Sequence, residues 1–64
     1  SAKEKSIQLI DQMIRSHMSE MNKLKKLLAN EMPKLLRNSF AESFELYQSD
    51  LRFLMELKQK LSKS

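Results

Sequence analysis

The sequence lacks the residues that cross-link or interrupt most small folds. Cysteine, glycine and tryptophan are absent, and proline occurs once among 64 residues. Without cysteine no disulfide can form, and one histidine with no cysteine predicts that the chain has no metal site. Because glycine and proline are the strongest helix breakers, we expect an all-α chain with almost uninterrupted helices.

Long apolar runs are missing as well. The longest are two or three residues, such as Leu27–Ala29, whereas a membrane-spanning helix needs about 20. We therefore predict neither a transmembrane segment nor a signal peptide. The lack of cysteine fits an intracellular protein of the cytoplasm or nucleus. The chain begins with Ser1 rather than methionine, so we expect it to be one module of a larger protein.

The length of the chain limits how well it can fold alone. A domain of this size buries only about 60% of the surface that its unfolded chain exposes. Small scaffolds compensate with disulfides, a structural metal or oligomerisation. Since the first is impossible and the second is not expected, oligomerisation is the predicted source of stability.

The first half of the chain carries a coiled-coil seam, in which residues recur at alternating steps of three and four. Its positions are Ile7, Ile10, Ile14, His17, Met21, Leu24 and Leu28. Met13, Met18 and Leu27 flank the seam and widen it towards the face that a helix presents in a helical bundle. The pattern predicts a helix from about residue 4 to about residue 29.

A break is predicted at residues 30–33. Pro33 lacks a backbone N–H donor and crowds the carbonyl of Ala29, which ends or kinks a helix. Asn30 can cap a new helix, but no glycine is available for a left-handed cap. Two alternatives therefore stay open at this stage, a helical hairpin and a continuous kinked coiled coil.

The second half repeats the apolar pattern in a register offset by two residues, as an interruption near Pro33 would cause. The positions are Leu36, Phe40, Phe44, Tyr47, Leu51, Leu54 and Leu61. Leu46, Phe53 and Leu57 lie to one side. The pattern predicts a helix from about residue 34 to about residue 62. Because Ser39 and Glu42 fit a capping box, a short separate helix at residues 33–38 is the alternative.

Catalysis is not expected from this composition. There is no cysteine nucleophile, no glycine-rich phosphate loop and no histidine with serine and carboxylate at motif spacing. We predict no enzyme, no cofactor and no small-molecule substrate. His17 has two interpretations: a polar seam residue that fixes register, or a pH-sensitive or metal-binding group. A metal would need carboxylates from other turns or other chains.

A basic stretch gives a candidate anion-binding surface for nucleic acid or an anionic membrane. Its members are Lys23, Lys25, Lys26, Lys34 and Arg37. The structural alternative is a solvated face matched by the acidic part of the second helix. In a hairpin, Lys23 would then lie level with Glu42, and Arg15 with Asp50.

These patterns together predict two amphipathic helices, broken near Pro33, that assemble into an intermolecular helical bundle. We expect a homo-oligomerisation domain, a dimer or a dimer of dimers, that multimerises a larger scaffold protein with the seam residues as its interface. The alternatives are a docking module for another helical protein and the basic surface described above. A self-associating chain has a mass that is a multiple of 7.6 kDa, which separates the first two.

Overall fold

The computed structural model describes all 64 residues. They form two long helices, joined by a short turn, that pack against each other in a hairpin. Helix α1 spans Ala2–Leu28 and helix α2 spans Lys34–Lys63, and there is no strand. The all-helical prediction is confirmed, and the hairpin is the alternative that the chain adopts. The result is a rod of 48 × 14 × 12 Å. Neither helix has a stretch with the length and hydrophobicity needed to cross a bilayer.

Helix α1 starts two residues earlier than the apolar pattern indicated. The Ser1 hydroxyl accepts a hydrogen bond from the backbone N–H of Glu4 at 3.3 Å, and Glu4 is an acidic residue in the first turn. A hydroxyl at the N-cap and an acid near the positive end of the helix dipole both stabilise a helix start. The apolar seam begins only at Ile7, which is why periodicity alone places the start too late.

The chain reverses over residues 29–33 without any residue in the left-handed region. Instead of a glycine cap, a side chain from α2 closes α1. The Arg37 guanidinium donates to the backbone carbonyl oxygens of Leu28, at 2.8 Å, and Asn30, at 2.6 Å. The last carbonyls of a helix have no partner within the helix, so Arg37 satisfies groups that a left-handed cap would otherwise serve.

The start of α2 differs from both predicted caps. Pro33 occupies the N-cap position with extended backbone and no side-chain hydrogen bond. Asn30 instead donates to the Lys26 carbonyl, so its predicted role as the cap of the second helix is wrong. Ser39 lies inside α2 and donates to the Leu35 carbonyl, so residues 33–38 form no separate helix.

The core of the hairpin is thin. Only Ile10, Leu24 and Leu54 are buried, with exposed fractions of 5–8%. Two helices bury only the side chains along the line where they touch. The rest of the surface of each helix faces solvent. A single hairpin therefore leaves nine large apolar side chains exposed.

Candidate interaction surface

Most of the large exposed apolar side chains lie on one side of the hairpin, which we call the open face. Its members are Leu9, Met13, Leu27, Leu35, Leu46 and Phe53. Leu46 is 63% exposed, Phe53 62% and Leu35 80%. Met18 and Met55 are also exposed, and at about 100° per residue they fall on the opposite side of the hairpin.

Helical geometry places these residues together. At about 100° per residue, Leu9 and Leu27 share one direction from the α1 axis and Met13 lies about 40° away. In α2, Leu35, Leu46 and Phe53 fall within about 20° of one another. Each set therefore forms a row along one edge of its helix, to one side of the residues that pack between the helices.

Contacts between the helices show that the two rows border the same side of the hairpin. Met13 of α1 and Phe53 of α2 line one shallow depression of about 240 Å³, together with His17, Asp50 and Leu54. Leu54 forms the floor because it is buried between the helices. The open face thus has a shallow depression near its middle, with one apolar row along each side.

The exposed area of the chain is large for its mass. The hairpin exposes 5208 Å², roughly 900 Å² more than the ~4300 Å² that size scaling gives for a compact 7.6 kDa monomer. A stable protein interface of standard size buries about 800 Å² per partner. The excess surface therefore matches what one interface of ordinary size would cover.

One polar pair interrupts the open face near its middle. His17 Nε2 lies 3.5 Å from Asp50 Oδ2, and His17 Nδ1 lies 2.9 Å from the Met13 carbonyl oxygen. The imidazole also meets the Tyr47 ring edge to face, with centroids 5.1 Å apart. These contacts hold His17 in one orientation, with its Nε2 edge directed towards Asp50.

The predicted seam residues meet inside the hairpin with one exception. Those that are buried or half-buried are Ile7, Ile10, Ile14, His17, Met21, Leu24, Leu28, Phe40, Phe44, Tyr47, Leu51, Leu54 and Leu61. Leu36 is exposed, because it lies in the first turn of α2 beyond the point where α1 ends at Leu28. Contact of the seam with a second copy stays a prediction.

The predicted basic surface is only partly available. Arg37 is half-buried and occupied by the carbonyls of α1, and Lys23 pairs with Glu20 on its own helix at 3.2 Å. Lys25, Lys26 and Lys34 are exposed and form no salt bridge. The structure thus brings together fewer free cations than the linear stretch indicates.

Neither of the two pairs expected to lie level across the hairpin forms an ion pair. Lys23 binds Glu20 rather than Glu42, and Asp50 faces His17 rather than Arg15. Glu20 is only three residues from Lys23, a spacing at which side chains on one helix meet readily. The ion pair that does join the helices is Asp11–Lys58, with a distance of 2.7 Å between Oδ1 and Nζ.

Sequence reasoning missed two features of this surface. The pairing of His17 with Asp50 had no local signal, since the residues are far apart in the chain. The outer rows were recognised only in part, as residues flanking the seam, and Leu9 and Leu35 were not included. The available signal was the helical spacing of Leu9 from Met13, four residues, and of Leu35 from Leu46, eleven residues.

Comparison with protein-family models, curated proteins and solved structures finds no match to this chain.

Proposed function

We propose that the chain is a homo-oligomerisation module in which two hairpins pack through their open faces into a four-helix bundle. The observation that carries this proposal is the collection of six large apolar side chains on one side of a hairpin. Isolated exposed apolar residues are ordinary, but a concentration of them on one side of a small protein is typical of an interaction site. In a four-helix bundle each helix buries a broad face against two neighbours, as these widened faces require.

A second copy is the occupant that the geometry favours. The open face has an apolar row along each side of its central depression. The rows of a second copy have the same length and spacing, so the side chains of two open faces can interdigitate. The polar His17–Asp50 pair lies near the middle of both helices. In a symmetric dimer it therefore meets the polar pair of the second copy rather than an apolar surface.

Association would supply avidity to the protein that carries this module. Joining two copies turns the second of two weak binding events into an intramolecular one, which raises the joint affinity without new contacts. The same avidity would allow the exposed lysines Lys25, Lys26 and Lys34 to contribute to binding nucleic acid or an anionic membrane. Such binding is the weaker candidate function, because Arg37 and Lys23 are already engaged.

Solution mass tests the proposal directly. We expect light scattering on the purified chain to give twice the 7.6 kDa of one copy, falling towards one copy on dilution. A chain that docks on another helical protein would instead stay monomeric or precipitate when purified alone. A well-folded monomer at high concentration would refute self-association.

A further inference from the structure

We infer that the His17–Asp50 pair is half of a zinc site that a second copy completes at the centre of the dimer. The inference rests on the proposed packing of two open faces. Each chain would give one imidazole nitrogen and one carboxylate oxygen, so the dimer would hold one tetrahedral Zn²⁺ with two histidine and two aspartate ligands.

The hydrogen bond of His17 prepares its ring for a metal. A carbonyl oxygen can only accept, so the 2.9 Å contact with Met13 places a proton on Nδ1. In the neutral ring Nε2 then carries the free lone pair. A histidine that binds a metal through one nitrogen usually donates the other N–H to a carbonyl or carboxylate, which fixes the ring orientation.

The distance between the two side chains suits two ligands of one ion. His17 Nε2 and Asp50 Oδ2 are 3.5 Å apart, longer than the usual ~2.7–3.2 Å of an N–H···O hydrogen bond. Two ligands at about 2.0–2.2 Å from a tetrahedral zinc lie about 3.3–3.6 Å from each other. The pair therefore has the spacing of one edge of a zinc tetrahedron before any ion is bound.

One chain alone cannot complete the site. No group of three histidine or acidic side chains lies close enough to hold a metal, while a structural zinc site has four protein ligands. The Asp50 side chain is 71% exposed and that of His17 is 18% exposed, so the half-site opens to solvent on the open face. The missing ligands must come from whatever packs there.

A two-fold dimer brings the second half-site to the right place. If the turns of the two hairpins lie at the same end, the two-fold axis of the dimer runs along the bundle. Each residue then lies level with the same residue of the other chain. If the turns lie at opposite ends, full overlap brings the middles of the hairpins together, where His17 and Asp50 lie. Two carboxylates balance the charge of the ion, which reduces the cost of burying it.

The test is a zinc titration of the full chain, followed by mass measurement in zinc and in a chelator. We expect one Zn²⁺ per two chains. Zinc at 100 times its Kd should then tighten dimerisation by about 100-fold, by mass action. Co²⁺, used in place of zinc, should show the intense visible absorption of tetrahedral coordination.

The decisive variant is Asp50→Asn, which keeps the shape of an exposed side chain and removes the anionic ligand. The matched control is Glu45→Gln, because Glu45 is also an exposed acid of α2 and has no salt bridge. We expect the zinc effect to disappear in the first variant and to persist in the second.

The outcomes separate this inference from the proposed function. A dimer with the same Kd in zinc and in chelator would overturn the zinc site and leave self-association standing. Zinc bound at one ion per chain, or equally well by Asp50→Asn, would also overturn it. A monomer under both conditions would refute both proposals.

Discussion

Replacing Phe53 with alanine tests the contribution of the open face without removing a side chain from the core of the hairpin. Phe53 is 62% exposed, whereas its neighbour Leu54 is 5% exposed. A large aromatic side chain buries about 150–250 Å² when fully covered, so about 120 Å² of Phe53 is left for a partner to cover. At about 25 cal/mol per Å², this contact is worth about 3 kcal/mol.

The expected effect on the dimer follows from that area. Alanine retains part of the contact, so the loss is about 2 kcal/mol per chain and about 4 kcal/mol per dimer. This corresponds to a Kd about 1000-fold higher, since about 1.4 kcal/mol changes it tenfold. Sedimentation equilibrium measures the Kd, and circular dichroism measures the helix content that the hairpin retains.

Two matched variants make the result interpretable. Met55→Ala removes a side chain of similar exposure, 55% against 62%, from the opposite side of the hairpin, and should leave the dimer Kd unchanged. Leu54→Ala removes a buried side chain and should cost about 2–5 kcal/mol of hairpin stability. Equal dimer Kd values for Phe53→Ala and Met55→Ala would refute the assignment of the open face.

Two further predictions concern the hairpin itself. Arg37→Met should lower the free energy of unfolding by about 1–2 kcal/mol, because it removes both charged donors from the end of α1 and leaves the Leu28 carbonyl without its partner. Lys34→Met is the control in thermal unfolding, and an equal Tm for both would contradict the capping role. A double-mutant cycle on Asp11 and Lys58 should give a coupling of about 0.2–1 kcal/mol that weakens with salt. A coupling of zero at low salt would mean that the pair does not join the helices in solution.

Periodicity was sufficient to predict the two helices and the break between them, but not whether they fold back into a hairpin. The absence of glycine, the single proline and two apolar faces out of register predict two helices and a break, and the structure has both helices. Periodicity reports which side of a helix is apolar, not where the partner helix ends. Leu36 fits the seam but is exposed, because α1 stops at Leu28 and covers nothing beyond it.

The polar contacts could not be read from the sequence in the same way. The linear sequence places Arg37 in a basic surface, and only the hairpin brings it beside the last carbonyls of α1. Asp50 was assigned to Arg15 from approximate levels in the hairpin, whereas the precise rotation of the helices directs it to His17. Such pairings depend on angles between elements, which a helical period does not specify. The Lys23–Glu20 pair, at a spacing of three within one helix, was the exception that local rules could have predicted.

The two ends of the chain meet at the end of the hairpin remote from the turn, where Lys3 Nζ donates to the Ser64 carbonyl at 2.6 Å. A polypeptide that carried these 64 residues between other segments could enter and leave the hairpin at almost the same point. The rod would then project as a side branch from the protein that carries it. Binding of a second rod would link two such proteins without changing the path of either backbone.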